Sequence, residues 1–365
     1  MDFQLSDDQR ALRSGMRDLL GAVFDRDRLR AAVERDGVLD RSLWRELGAA
    51  GFFALRLPEE AGGVGLGLPE TVLLFEEAGR ALLPGPLVAT HLAAGLVKGA
   101  AEGEAVVTAV DADLPVAHLA GADAVLVAGA EPLTGEPLTG EALRVFVAAA
   151  RPVRSMDPLT PLHRAPAVSV CTRADAERAP AVSVCTRADA ERAPAATERT
   201  PAHAGRFRFE AALLTAAEQL GSAARTTEEA VQHAGSREQF GSPVGAFQAV
   251  KHLCADMLAR TEPARAAVYA AAVTGDPVEI AAAKLLADEA AVRNARDCLQ
   301  IHGGMGFTWE ADVHLHLKRA WLRAASWLTG AGAEELLAAD LGAAGRLPRS
   351  SAAYGRPVAE AGGGG

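Results

Sequence analysis

The sequence contains few cysteines, and they are widely separated. The four are Cys171, Cys185, Cys254 and Cys298, and no two have the C-x-x-C spacing. A zinc site or a disulfide framework of the usual pattern is therefore not expected, and no metal site is predicted. A basic block is also missing, since 37 basic residues face 47 acidic ones and the net charge is −10. This balance argues against binding to a nucleic-acid backbone.

Targeting and membrane signals are missing as well. The first residues, MDFQLSDDQR, have acidic side chains where a signal peptide needs basic ones, and no apolar core follows them. No stretch approaches the ~18 uninterrupted apolar residues of a membrane span. No G-x-G-x-x-G follows a predicted strand, so a Rossmann nucleotide site is not supported. A cytoplasmic protein without membrane insertion is expected.

Residues 1–100 are typical of a helical domain. Ser6 followed by Gln9 has the form of a capping box, which predicts a helix start. Asp40 is suited to cap a second helix. Residues 58–67, PEEAGGVGLG, contain too many glycines for a helix and predict a loop between helices.

Residues 101–208 have a different pattern, and we interpret them as a small middle β domain. Gly, Pro and Asp separate short apolar runs, which is typical of strands and turns. The runs are Ala105–Val110, Ala124–Ala128, Leu143–Ala148, Ala167–Cys171 and Arg206–Phe209.

A tandem duplication of 14 residues lies inside this middle domain. RAPAVSVCTRADAE fills 164–177 and again 178–191. Two copies are too few for a solenoid, which needs at least three. We interpret the duplication as a replication slip. One AVSVC copy then forms a strand, and the other is accommodated as a surface loop.

Residues 209–342 return to long amphipathic helices and predict a C-terminal four-helix bundle. Helices are expected at Leu213–Ala234, from Phe247 onward, at Pro277–Ile301 and at about Asp312–Leu328. The tail 343–365 ends in AEAGGGG and is expected to be disordered. The order of helices, small sheet and helices gives an α+β fold class.

Three motifs in the C-terminal block have residues suited to a nucleotide cofactor. They are REQFG at 237–241, FQ at 247–248 and QIHGGMGF at 300–307. An arginine supplies a planar cation for phosphate, glutamines supply amide groups for ribose or adenine, and paired glycines admit a phosphate to the backbone. Each motif also has a purely structural explanation. The arginine could pair with a surface acid such as Glu229 or Glu238, and GGMG could only stop a helix.

At this spacing, these motifs resemble the acyl-CoA dehydrogenase family. The similarity extends to the opening MDFQLSDDQRALR, the loop LPEEAGGVGLG and the stretch QIHGGMGFTWEADVHLHLKRA. The resemblance implies helical, β and helical domains in that order, FAD as cofactor, an acyl-CoA thioester as substrate and a tetrameric assembly. It also implies that the cofactor-binding residues reach the ADP half of a neighbouring subunit's FAD. These residues are Arg237, Gln239, Phe240, Gln248, Gln300, Gly303 and Gly304.

The catalytic base that the resemblance requires is missing. The family places a glutamate either about 27 residues after the QxxGG glutamine or about 26 before the RxxFG arginine. These positions hold Trp327 and Ala211, neither of which can accept a proton. Glu210 is adjacent to the second position but is turned by about 100° on a helix. It is either a displaced base or an exposed acid at a helix start, where the helix dipole favours it.

The segment that meets the flavin ring in the family, Thr/Ser-Glu-Pro followed by Gly-Ser-Asp, also has no counterpart in 100–208. The chain therefore resembles the base-lacking, β-type subunit of actinobacterial α₂β₂ acyl-CoA dehydrogenases. Its expected partner is a homologous subunit that supplies the base. Two alternatives stay open: a self-sufficient homo-oligomeric flavoenzyme with a relocated base in a biosynthetic pathway, and a flavin-free binding scaffold.

Overall fold

The computed structural model describes residues 4–111, 114–128, 137–165 and 202–343. Helices dominate, and the strands are short. The helices are α1 (Asp7–Val23), α2 (Arg26–Glu34), α3 (Arg41–Ala49), α4 (Leu68–Arg80), α5 (Leu87–Ala93), α6 (Gly140–Ala149), α7 (Ala202–Ser236), α8 (Gln248–Thr274), α9 (Pro277–His302), α10 (Val313–Ala324) and α11 (Gly330–Ala343). The strands are β1 (Val107–Asp111), β2 (Val116–Ala117), β3 (Ala124–Ala128), β4 (Arg151–Val153), β5 (Leu162–Arg164), β6 (Glu238–Gln239) and β7 (Ser242–Pro243).

The predicted helix starts in the N-terminal block are confirmed. The Ser6 hydroxyl accepts a hydrogen bond from the Gln9 backbone N–H at 3.1 Å, and the Gln9 side chain accepts one from the Ser6 N–H at 3.1 Å. Asp40 accepts from the Ser42 N–H at 2.9 Å and so caps α3. These contacts satisfy backbone donors that a helix start leaves free, and they need only nearby residues.

The N-terminal and C-terminal helices share one hydrophobic core, which extends from Met16 to Ala320. Helices α4 and α7 approach closely because each has a glycine at the contact. A Cβ on Gly79 would lie 2.0 Å from the Glu218 carbonyl oxygen, and one on Gly221 would lie 1.8 Å from the Glu76 carbonyl oxygen. Any larger residue at either glycine would force the two helices apart.

The described part of the middle segment contains two small sheets and one α-helix. Strands β1 and β3 pair in parallel, and β2, β5 and β4 form an antiparallel sheet in that order. The strand predicted at Leu143–Ala148 is wrong, since α6 covers it and buries Leu143 and Phe146 at helical spacing. Short apolar runs are compatible with either structure, and packing decides between them. The run Ala167–Cys171 and nearly all of the duplication lie outside the described residues.

The strand predicted at Arg206–Phe209 is also wrong, because α7 begins at Ala202 and includes it. Helix α9 matches its prediction closely. The expected helix to Leu328 ends at Ala324, and Trp327, three residues further on, has a left-handed φ of 63°. Helix α11 was not predicted. Within the described residues every helix is too short or too polar to cross a bilayer.

Candidate functional site

Three helix ends meet at one end of the C-terminal block. Helix α7 ends at Ser236, α8 begins at Gln248, and α9 ends at His302. The His233 ring stacks on the His302 ring, with centroids 4.0 Å apart and planes 23° apart. The His302 Nδ1 donates to the Cys298 carbonyl at 2.8 Å. This stack links the first and third motifs, which are distant in sequence.

The first motif forms a tight hairpin of β6 and β7. Glu238 pairs with Pro243 and Gln239 with Ser242, so Phe240 and Gly241 form a two-residue turn. Both turn residues have positive φ, 52° and 81°, as a type I′ turn requires. Phenylalanine is unfavourable in this conformation, and the Phe240 side chain is also 91% exposed. Local folding therefore gives no reason for a phenylalanine here.

The Arg237 side chain lies at the exposed surface beside this hairpin. Across the described parts of the chain, no acid lies within ion-pair distance of its guanidinium; Glu229 instead pairs with Arg225 at 2.7 Å. The alternative in which Arg237 pairs with a surface acid is thus not seen. Gln239 and Gln300 are likewise exposed.

Gln248 begins α8 and is exposed, and its side-chain amide lies 3.0 Å from the His252 Nε2. An exposed contact of this kind is weak and easily exchanged for another partner. Gln248 is therefore free to bind elsewhere at little cost.

The third motif continues from α9 into a 3₁₀ turn, Gly303–Phe307. Gly303 has a φ of 62° and its N–H caps α9, so the conformation requires glycine there. Gly304 has no such constraint. Among the described residues, a Cβ at either glycine would meet no atom within 4 Å. These residues leave the backbone open, and a phosphate could approach it closely.

Large apolar side chains are exposed around these motifs. Phe307 is 74% exposed, and the Phe240 and Phe247 rings make an edge-to-face contact at 6.0 Å. We call this set, completed by Met305 and Trp309, the apolar end patch; both are more than half exposed. Exposed apolar groups of this size, beside polar groups without partners, are typical of an interface.

The family resemblance places the base at Ala211 or Trp327, and both residues lie away from the three helix ends. They lie in and beside a cleft between the N-terminal helices, the middle segment and the C-terminal helices. Ala211 is fully buried in the core. Trp327 lines the cleft, and its ring packs edge-on against Phe207 at 5.8 Å. Its carbonyl accepts a hydrogen bond from the Arg208 Nε at 2.6 Å. The residue at this sequence position is therefore an indole and not a carboxylate.

Glu210 is buried, which contradicts the interpretation of it as an exposed acid. Its carboxylate accepts hydrogen bonds at 2.7 Å from Arg56 and from Arg206. Burial alone would raise the pKa of this carboxyl, but the two guanidinium groups outweigh it and hold the pKa below its ordinary value of 4.5. A carboxylate held in this way is a poor proton acceptor.

Buried ion pairs that the sequence did not reveal cross the same cleft. Arg323 donates to Glu218 at 2.7 Å, and Arg319 donates to Asp157. A cavity of about 150 Å³ remains between these groups and Trp327. The sign of these pairs in the sequence was that Arg319 and Arg323 lie among apolar residues, in the segment RAWLRAA. His316 is also buried, bonded to the Ser222 hydroxyl at 2.7 Å.

Two family models match the chain. The acyl-CoA dehydrogenase N-terminal domain matches residues 6–102, and the acyl-CoA dehydrogenase C-terminal domain matches residues 205–345. Among characterised proteins, the chain is similar to acyl-CoA dehydrogenase IpdE2 of Mycobacterium tuberculosis, with 34% identity over 80% of this chain and 84% of the relative. It is 32% identical to IpdE2 of Mycolicibacterium smegmatis, over 87% of this chain and 93% of the relative.

Solved structures share the fold. The Tcur3481-Tcur3483 steroid ACAD has a TM-score of 0.70 at 23% identity, covering 93% of this chain and 99% of that chain. The ChsE4-ChsE5 complex of Mycobacterium tuberculosis has a TM-score of 0.69 at 22% identity, covering 95% of this chain and 100% of that chain. PigA with FAD and proline has a TM-score of 0.73 at 19% identity, covering 94% of this chain and 99% of that chain.

Proposed function

The chain belongs to the acyl-CoA dehydrogenase family, and we propose that it is the partner subunit of an FAD-dependent acyl-CoA dehydrogenase. In this role it completes the ADP-binding part of the cofactor site. A homologous subunit supplies the catalytic glutamate and the surroundings of the flavin ring. The reaction is the α,β-dehydrogenation of an acyl-CoA thioester.

The observation that carries this proposal is Trp327 in the cleft. It fills the position where the family resemblance requires a proton acceptor, and only about 150 Å³ remains beside it. An indole cannot take up the proton that the reaction removes from the substrate. Glu210 gives no replacement, because it is held by Arg56 and Arg206.

The ends of α7, α8 and α9, in contrast to the cleft, present polar groups that are available to a cofactor. Arg237 has a guanidinium without an intrachain ion pair in the described residues, and the Gly303 and Gly304 backbone is open. A planar guanidinium forms paired, charge-assisted hydrogen bonds with a pyrophosphate. Side-chain amides from Gln239, Gln248 and Gln300 add contacts suited to ribose and adenine. These groups fit the ADP half of FAD.

In the proposed complex, bound FAD supplies the hydride acceptor for the reaction. The residues of this chain do not touch the reacting carbons. Arg237 neutralises pyrophosphate charge and fixes the position of the nucleotide. The apolar end patch is covered by the partner, which excludes water from the site and strengthens the charged contacts. The chain thus contributes affinity and orientation, and the partner contributes proton transfer.

The heteromeric character of two fold neighbours supports this arrangement. ChsE4-ChsE5 is a complex of two differently named chains, as is Tcur3481-Tcur3483. The exposed apolar end patch favours the same conclusion, because a monomer rarely leaves such groups uncovered.

The test is to purify the chain alone and after co-expression with a homologue that has the glutamate. We expect the chain alone to show no flavin absorbance and no oxidation of acyl-CoA with an artificial electron acceptor. The co-purified complex should show both. Replacement of the partner's glutamate by glutamine should abolish turnover, whereas Glu210→Gln should leave it unchanged. Flavin and turnover in the chain alone would establish the homo-oligomeric alternative instead. Failure to form any flavin-containing complex would favour the binding scaffold.

A further inference from the structure

The stacked rings of His233 and His302 lie between the two halves of the proposed ADP site. Their centroids are 4.0 Å apart, and the ring planes differ by 23°. His233 lies in the last turn of α7, one turn before Arg237, and His302 ends α9 directly before Gly303. A helical turn rises about 5.4 Å, and neighbouring Cα atoms lie about 3.8 Å apart. Both halves of the site therefore begin within about one helical turn of the rings.

The main chain of Arg237 is fixed, although its side chain is exposed. Its N–H donates to the His233 carbonyl at 2.8 Å, and its carbonyl accepts from the Val244 N–H at 2.7 Å. The segment after the hairpin lies close against α7, since a Cβ on Gly245 would be 2.9 Å from the Ala234 carbonyl oxygen. The point from which the Arg237 side chain extends is therefore fixed to the last turn of α7.

The glycine turn, Gly303–Phe307, is fixed to His302 in a similar way. The His302 Nδ1 donates to the Cys298 carbonyl at 2.8 Å, which holds the ring against its own helix. The N–H of Gly303 caps α9. A Cβ on Gly306 would lie 3.0 Å from the His302 Cβ, so the turn folds closely over this residue. The His302 ring and the glycine turn therefore form one unit.

The ring stack is a direct link between the hairpin and the glycine turn. Within the described chain, no hydrogen bond or ion pair joins residues 237–243 to residues 303–307. Burial is the largest of three causes that lower the pKa of His233, ahead of His302 and Arg237. The ring is therefore uncharged at neutral pH, and it stacks without bringing a second positive charge beside the arginine.

We propose that His233 and His302 are a positioning pair, which holds Arg237 and the glycine turn at the separation that lets both contact one pyrophosphate. The inference rests on the proposed function, since it assigns the pair a role toward the ADP half of FAD. Neither ring has to touch the cofactor. The pair acts by fixing the two halves of the site before FAD binds, which lowers the ordering cost of binding.

The test is a flavin titration of the co-purified complex with two substitutions at one position. His233→Leu keeps an apolar side chain on α7 but removes the flat ring, and it should weaken FAD binding about two- to tenfold, which corresponds to the loss of a ring pair. His233→Phe restores a flat ring and should bind FAD within about twofold of the unmodified complex. His302→Leu removes the same stack from the other side and should weaken binding as His233→Leu does.

A matched control separates this effect from general destabilisation. His163→Ala replaces another half-buried histidine, in β5, and should leave FAD affinity unchanged. Circular dichroism of each variant chain checks that it folds.

A double-mutant cycle shows whether the stack acts through Arg237. If it does, His233→Leu should cost less than about twofold in FAD affinity once Arg237→Ala is present, because no guanidinium is left to position. A purely structural role would give the same fold loss in both backgrounds. Equal losses, or His233→Phe binding as weakly as His233→Leu, would overturn the proposal.

Failure of the positioning role is distinguishable from failure of the proposed function. A complex without flavin, or one whose FAD affinity does not change in Arg237→Ala, would overturn the proposed ADP site and this role with it. Bound flavin whose affinity depends on Arg237, together with an additive cycle, would overturn only the positioning role.

Discussion

The His233 and His302 rings stack at 4.0 Å between the ends of α7 and α9. His233 lies one turn before Arg237, and His302 directly precedes Gly303. The stack therefore sets the position of the arginine relative to the glycine turn. Burial, the neighbouring His302 and Arg237 all lower the pKa of His233.

This relationship predicts an acid-sensitive contact. The pKa of His233 in the folded chain lies below its ordinary value of 6.5. The neutral ring therefore contributes its full stabilisation above pH 6.5, and this stabilisation is lost as the pH falls from there through the folded pKa. The stack is worth about 0.5–1.5 kcal/mol. His233→Phe keeps a flat ring that does not titrate, so its melting temperature relative to the unmodified chain should rise as the pH is lowered. Thermal melts between about pH 8 and about pH 5.5 measure this. His252→Phe, at an exposed position, should show no such trend.

Arg237→Ala should reduce the affinity of the assembled complex for FAD while the chain still folds. A charge-assisted, bidentate contact is worth about 1.5–3 kcal/mol, or about ten- to hundredfold in affinity. Arg237→Lys should recover only part of this, because an ammonium group lacks the planar fork. Flavin titration of the complex gives the values. Arg35→Ala, an exposed arginine bonded to its own helix, is the control. Equal FAD affinity in Arg237→Ala and Arg35→Ala would remove the central residue of the cofactor site.

Phe240→Asn should separate folding from assembly. Asn-Gly is the preferred pair for a type I′ turn, so the isolated chain should become more stable by up to about 1 kcal/mol. Assembly should weaken, since burying a phenylalanine contributes about 1.5–3 kcal/mol. Thermal melts of the chain and native mass spectrometry of the complex measure the two effects. Val38→Asn, also at an exposed apolar residue, should change neither. Assembly that is unaffected by Phe240→Asn would exclude this part of the apolar end patch from the interface.

Glu210→Gln should destabilise the chain without affecting catalysis by the complex. It leaves Arg56 and Arg206 without their carboxylate, at a cost of about 1–3 kcal/mol. This is less than for a fully buried pair, because the Arg206 side chain is 67% exposed. Folding lowers the pKa of Glu210, so its carboxylate contributes to the free energy of unfolding at any pH above the ordinary pKa of 4.5. This contribution is lost only as the pH falls below that value. Melting curves should show this loss, whereas Glu46→Gln, at a more exposed pair, should shift them little. Loss of turnover at full stability would restore Glu210 as a base.

Deletion of 178–191 should leave the fold intact and change stability little. This follows from the interpretation of one copy as an inserted loop, because the length of a loop alters its closure entropy only slightly, by about 0.6 kcal/mol for each doubling. Circular dichroism and thermal melts of the deleted chain give the comparison. Insoluble protein would show that both copies are needed.

Short-range chemistry in the sequence was enough to predict much of the fold. Residues within a few positions of each other determine the Ser6 capping box, the Asp40 cap and the long helix from Pro277. Nearby sequence was therefore enough to predict these features. The motifs around Arg237 and Gly303 likewise identified the family.

Only the tertiary structure decided which side chains are buried and paired. Leu143–Ala148 became a helix because of what it packs against. Glu210 meets Arg56 across 154 positions of sequence, and Arg319 meets Asp157 across 162. The sequence identified Trp327 at the expected base position, but it could not reveal the small charged cavity beside it. The reason is physical: helix caps and periodicity are local, whereas burial and ion pairing depend on groups that meet only after the chain has folded.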